Sequence, residues 1–194
     1  MFTIETNTVN EIIINKSRFI CELIKIKNFD DINIYLKEIE SKYKDATHYC
    51  YAYIIGNLKK VSDDGEPSGT AGMPILNVLE MNNLTNILCV VIRYFGGIKL
   101  GAGGLVRAYS KSVKEALNKT NIIELKKYYR LKIIYTYDYS KEIDYILKNE
   151  NKIDIKYEDN ITCLFDILEC NYNDVINKLK RLCLNIELQE EFIA

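Results

Sequence analysis

Two stretches of this chain combine residue types that ordinary packing does not demand. The first, Ser62-Asp63-Asp64-Gly65-Glu66-Pro67-Ser68-Gly69-Thr70-Ala71-Gly72, sets three carboxylates among glycine and proline. Such a cluster suits a divalent cation, acid–base work, or a turn tied by side-chain to backbone hydrogen bonds. The spacing does not match an EF-hand loop, and adjacent Asp side chains normally diverge. The expectation is therefore that Asp63, Asp64 and Glu66 order the loop and hold no metal, with Ser68 and Thr70 as further ordering or ligand-contacting groups. The second stretch, Gly96-Gly97-Ile98-Lys99-Leu100-Gly101-Ala102-Gly103-Gly104, follows an apolar run ending in Tyr94-Phe95 and opens a helical pattern. A strand, a glycine loop and a helix start together make a generic anion site, because the first N–H groups of a helix are unpaired and its dipole favours negative charge. The pattern is neither GxxxxGK[ST] nor GxGxxG, so neither a Walker loop nor a dinucleotide fold follows.

Charge sharpens the contrast. No Asp or Glu lies between Glu80 and Glu115, while Arg93, Lys99, Arg107, Lys111 and Lys114 fall there, a local charge of +5. The expected phosphate-binding set is Arg93, Gly96, Gly97, Lys99, Gly101, Gly103, Gly104, Arg107 and Lys111. Lys outnumbers Arg by 21 to 5, so the retained Arg18, Arg93 and Arg107 hint at a need for a planar fork toward carboxylate or phosphate. Arg93 is the member that the acidic loop could claim instead. The bland alternative is that both loops are tight connections packed on each other. His48, the only histidine, sits beside Tyr49, Tyr51 and Tyr53 with no Ser or Cys nucleophile motif, and a hydrogen-bonded structural role is the expectation. No catalytic residue is assigned.

These groups need elements to hold them. Val9–Asn15 and Arg18–Ile26 read as strands joined by a short Lys16-Ser17 break. Asp30 or Asp31 caps a helix reaching about Tyr43, with Ile32, Leu36, Ile39 and Tyr43 on one face. Residues 48–55 alternate as a strand, Pro74 marks a helix start, and residues 86–95 form a buried strand. A helix follows from about Gly103 to Asn118; Leu105, Val106, Tyr109, Val113, Ala116 and Leu117 form its core stripe. Arg107, Lys111 and Lys114 lie on another face. Ile122–Leu125 is a last strand and Lys126-Lys127 a linker.

All nine glycines and both prolines lie between Gly56 and Gly104. The later residues change character. Their pattern reads β-α-β-β-α-β, the ferredoxin-like signature, with 11 basic against 13 acidic residues over 126–194. The paired aromatics of an RNA-recognition strand are missing there, so base stacking on that half is not expected. The fold class is α+β, with domains expected at 1–127 and 128–194.

Composition excludes several classes. With 26 basic and 27 acidic residues in 194, net −1, this is neither a globally basic nucleic-acid binder nor an acidic tail protein. Apolar runs are too short to span a bilayer, and the opening residues show no signal-peptide pattern. Six cysteines without a CxxC pair argue against zinc and suggest reduced thiols in the cytoplasm.

Lys16-Ser17-Arg18-Phe19-Ile20, Ala46-Thr47-His48, residues 63–72 and the run Arg93 to Arg107 resemble the IMPACT/YigZ family in its bacterial two-domain form. Ile92 stands where many members carry Thr. The resemblance implies an N-terminal domain like the second domain of ribosomal protein S5 and a C-terminal ferredoxin-like domain. Both are similar to the last two domains of the translocating elongation factor. It further implies nucleic-acid or ribosome association in translation control or stress, with no secure enzymatic activity and no cofactor. RNA or the ribosome is thus the expected partner; a phosphorylated small molecule on the same loop and a protein-interaction adaptor are the rivals. The oligomeric state is not legible.

Overall fold

The structure is a computed structural model, and it describes residues 1–193. The chain divides into two compact units, one ending at Glu124 and one beginning at Leu125. Expected boundaries of 127 and 128 therefore shift by three residues; Lys127 is already the first residue of a strand, not linker.

In the first unit the chain runs β1 (Phe2–Ile4), β2 (Thr8–Ile14), β3 (Ser17–Lys25), α1 (Phe29–Lys42), β4 (His48–Ile55), β5 (Leu58–Ser62), α2 (Gly72–Met81), β6 (Ile87–Tyr94), α3 (Gly101–Leu117) and β7 (Ile122–Glu124). Five strands form an antiparallel sheet in the order β2-β3-β6-β4-β5. Strand β6 is central and its residues 87–92 are wholly buried, which is why they read as a continuous apolar run. Its neighbours bury alternate residues on opposite faces. Phe19, Cys21, Cys50, Ala52, Cys89 and Val91 pack under α2 and α3, while Ile20, Ile24, Leu88, Val90 and Ile92 meet Ile32 and Ile39 of α1. Each such Leu or Ile contributes roughly 1.5–3 kcal/mol on burial, so the three-layer arrangement holds the strand ends, and the loops on them, firmly. β1 and β7 pair with each other.

Three boundaries differ from expectation. Helix α1 is capped by Asn28, whose side chain accepts from the Asp31 N–H, while Asp31 accepts in return from Asn28; Asp31 is thus the third helical residue of a capping box, not the cap. Helix α2 starts at Gly72, two residues before Pro74, whose missing N–H is among those no helix satisfies. Helix α3 starts at Gly101, not Gly103.

The second unit runs β8 (Lys127–Tyr135), a short 3-10 turn (Tyr137–Tyr139), α4 (Ser140–Ile146), β9 (Asn151–Tyr157), β10 (Ile161–Leu168), α5 (Glu169–Leu179) and β11 (Cys183–Ile193). Its antiparallel sheet has the order β11-β8-β10-β9. Leu131, Ile133, Cys163, Phe165 and Ile167 form the core with Ile143, Ile176 and Leu179. Among the described residues no helix is long and apolar enough to cross a membrane.

Candidate functional site

Both special loops leave the same end of the five-stranded sheet. The acidic loop runs from the end of β5 to the start of α2, and the glycine loop runs from the end of β6 to the start of α3. His48 of β4 and Arg93 of β6 are register partners, so one cross-strand pair sits beneath both loops.

The three carboxylates of the acidic loop point to three different partners. Asp63 accepts from the N–H groups of Gly69 (2.8 Å), Ala71 (3.0 Å) and Gly72 (2.8 Å). It thereby closes the loop and caps α2, whose own N-cap position is Ala71 and offers no side-chain acceptor. Partial burial pushes the Asp63 carboxyl up, but the bonds from Gly69, Gly72 and Ala71 outweigh it and hold it below the usual carboxylate range. Asp64 accepts from the Tyr49 N–H (2.6 Å), pinning the loop to β4. Glu66 Oε1 meets Arg93 Nη1 at 2.5 Å and accepts from the Tyr109 hydroxyl at 2.8 Å. Thr70 donates to the Pro67 carbonyl at 2.6 Å, and Ser68 is exposed on the loop surface. Among the described residues no group of three or more His, Cys, Asp or Glu is placed to hold a metal ion.

Arg93 is consequently no part of an exposed basic surface. It is 5% exposed, its charge is met by Glu66, and its guanidinium lies between the rings of Phe19 (5.4 Å) and Phe95 (5.5 Å). Its Nε is buried without a hydrogen-bond partner. Position on a central strand decides this: the β6 side chain that shares a face with Phe19 must enter the core, whatever its charge. Arg18 is also engaged elsewhere. It pairs with Glu11 across the β2–β3 hairpin (2.9 Å) and covers the Tyr94 ring, which packs on the α1 face of the sheet.

Tyr109 and Cys50 join this cluster from the core stripe of α3 and from β4. The Cys50 thiol donates to the Asp63 carbonyl (2.9 Å) and lies 3.3 Å from the Tyr109 hydroxyl. Burial pushes the Cys50 thiol up to about 12 and raises Tyr109 further, so both stay protonated. Periodicity alone marks Tyr109 as core; the one available signal of more is that a fully buried Tyr needs a partner for its hydroxyl.

The glycine loop is held by its ends. The Gly96 N–H donates to Ser17 Oγ (3.1 Å), and the Phe95 N–H donates to Thr47 Oγ1 (3.0 Å). A Cβ on Gly96 would collide with the Lys16 carbonyl group, so only glycine allows the β2–β3 turn and this loop to touch. Gly97 then reverses the chain at φ +83°. Helix α3 begins without a side-chain cap and without an acidic residue in its first turn. Lys99, Arg107 and Lys111 are exposed and form no ion pair with any described carboxylate. Arg107 folds back along the helix, its Nη1 3.6 Å from where a Gly103 Cβ would be.

Between the loops lies a cleft of about 390 Å³. Phe95, Leu100, Ala102, Leu105 and Pro67 make a mainly apolar wall, Lys99 and Gly101 border α3's start, and Thr47, His48, Glu66 and Arg93 complete the lining. His48 Nδ1 lies 2.7 Å from the Asp64 carbonyl, which can only accept, so Nδ1 carries a proton. Its Nε2 is 3.9 Å from Glu66 Oε2.

An α+β protein with two glycine-rich loops side by side, one capping its helix and one opening an uncapped helix, is thus defined by structure. Residues 15–117 match the Impact N-terminal domain family. The chain is 42% identical over 171 residues to the IMPACT family member YvyE of Bacillus subtilis, covering 82% of this chain and 76% of YvyE. It is 40% identical over 111 residues to YigZ of Escherichia coli, covering 55% of this chain and 54% of YigZ. A crystal structure of a hypothetical protein aligns over 96% of this chain and 95% of its own with a TM-score of 0.66 and 29% identity. The chain belongs to the IMPACT family.

Proposed function

We propose that the protein binds RNA, free or in the ribosome, through phosphate contacts at the glycine loop and the first turns of α3, and serves in translation control or the stress response in the cytoplasm. The observation that carries this reading is the uncapped, acid-free start of α3 with unpaired Lys99 and Arg107 beside it and unpaired Lys111 further along the same helix. Unsatisfied N–H groups and mobile cations favour a phosphate there, and the glycines allow it close approach. Lys99, Arg107 and Lys111, with the backbone of Gly96, Gly97, Gly101, Gly103 and Gly104, make the contacts. Arg93 and Glu66 act beneath them as the brace. The role in translation follows from what family resemblance implies. The β-α-β-β-α-β order of the second unit, with its β11-β8-β10-β9 sheet, supports a ferredoxin-like reading, and the first unit is read as S5-like on the same resemblance.

A salt titration of RNA and ribosome binding tests the proposal. With net charge near zero, affinity is modest and few phosphates are contacted. Lys99→Ala and Lys111→Ala each weaken binding to all sequences and flatten the slope of log K against log salt by about 0.7 per lost contact on single strands. Absence of binding at low salt, or variants with the wild-type slope, refutes it.

A further inference from the structure

The cleft between the loops contains a carboxylate oxygen and an imidazole nitrogen that the fold itself does not hydrogen-bond. Glu66 is 8% exposed, yet both of its hydrogen bonds are made through Oε1, to Arg93 and Tyr109. Its Oε2 has no hydrogen bond from any described residue; its neighbour is His48 Nε2, 3.9 Å away and too far to bond. In the neutral imidazole the Nδ1 proton given to the Asp64 carbonyl leaves Nε2 as an acceptor as well. Two acceptors side by side at the floor of a cleft are left for donor groups that arrive from outside. A carboxylate whose other oxygen is fixed by a guanidinium and a phenol is a preorganised acceptor, because it cannot rotate away.

The rest of the cleft restricts what those donors belong to. The wall is mainly apolar and includes Phe95, a ring 46% exposed and backed by the Arg93 guanidinium. At about 390 Å³ it falls in the range of small-molecule sites, which combine apolar walls with a few placed polar groups. At its border stand Lys99 and the open first turn of α3. A ligand that satisfies all three regions carries a flat ring, a hydroxyl or N–H donor and an anionic group.

We propose that this cleft is a nucleotide-binding site. A single nucleotide packs its base against Phe95 and Leu100, donates from its base or ribose to Glu66 Oε2 and His48 Nε2, and places its phosphate by Lys99 and α3's start. The site rests on the phosphate-binding reading of that helix start and adds recognition of one unstacked nucleotide, supplied either free or as part of an RNA strand. Ribose hydroxyls and base edges are the groups by which single-stranded RNA is read.

The test titrates the full chain with the four ribonucleoside monophosphates, the matching nucleosides, inorganic phosphate and a short single-stranded RNA. Ala102→Trp fills the cleft from an exposed position on α3, and His48→Asn keeps a donor toward the Asp64 carbonyl while removing Nε2. Thermal melting first establishes that each variant is folded; His48→Asn serves if Ala102→Trp is not. At least one monophosphate is expected to bind the wild type more tightly than its nucleoside or phosphate, and each variant to weaken it about tenfold or more, as when a site loses a hydrogen-bonding partner. If RNA alone binds and the variants weaken it by the same factor, the nucleotide is taken from a strand and the site stands. If RNA binds wild type and both variants alike and no monophosphate binds, the cleft is not a nucleotide site although the phosphate face survives. Phosphate binding as tightly as every monophosphate overturns the site in favour of a simple anion pocket. Binding of neither RNA nor monophosphate removes both readings.

Discussion

Helices α2 and α3 both start directly after a glycine-rich loop, and their N-termini are treated in opposite ways. At α2 the loop supplies its own anion: Asp63 accepts from Ala71 and Gly72. At α3 no side chain caps, no acid stands in the first turn, and nearby cations lack partners. The acidic loop is therefore closed on itself, each carboxylate fixed to β4, α2 or Arg93, whereas the glycine loop keeps donors and positive charge facing outward. Burial explains the division. Glu66 and Arg93 enter the core and must neutralise each other, while Lys99 and Lys111 remain in water and can stay unpaired at little cost. One loop serves as a brace and the other carries the face proposed to bind phosphate, although both are rich in glycine.

The contrast is broken most directly at the brace. Glu66→Ala strands the Arg93 charge in the core and is expected to cost about 3–5 kcal/mol, read from the midpoint of urea unfolding. A loss below about 1 kcal/mol would mean that the loop does not brace the fold. Gly96→Ala comes next. Its Cβ meets the Lys16 backbone, which cannot swing aside as a side chain would, and about 1–3 kcal/mol of stability should be lost. A neutral outcome would show that the β2–β3 turn yields freely.

Asp63→Ala removes the cap of α2, with an expected cost of about 0.5–2 kcal/mol. This contribution depends on pH in a defined direction. Because the carboxyl sits below its ordinary value when folded, its stabilisation is complete above about pH 4, the unfolded Asp range, and disappears as pH falls through the lowered folded value. The stability gap between wild type and Asp63→Ala should narrow on acidification; a gap that holds constant down to the lowest accessible pH contradicts the capping role. The smallest expected stability effect is at the proposed phosphate face. Lys99→Ala should leave the urea midpoint within about 0.5 kcal/mol of wild type while weakening RNA binding. A large loss of stability there would make that face a second brace.

Legibility follows the same division. Regular burial patterns are readable: β4 spans the residues whose alternation marks it, and β6 lies within the apolar run. Strand β5 escapes notice because Leu58-Lys59-Lys60 is exposed and shows no alternation; pairing with β4 alone makes it a strand. The cap of α1 lies at Asn28, two residues before the first Asp, and only the reciprocal bond with Asp31 distinguishes it. Arg93 reads as a cation in an acid-free interval, because intervals along a chain do not reveal that Glu66 lies across from it.

The order of residues by itself determined the α+β class, the change of character after the glycine-rich segment, and which two loops are unusual. These depend on local backbone preference and on periodic burial, both carried by neighbours in the chain. Only the tertiary structure decided that Asp63 caps α2, that Glu66 neutralises Arg93 and not an external ligand, and that His48 and Glu66 line one cleft. Those outcomes depend on which groups the fold brings together, from 9 residues apart in the chain for Asp63 and Gly72 to 27 for Glu66 and Arg93, and the energy of a charge is set by that surrounding rather than by its type.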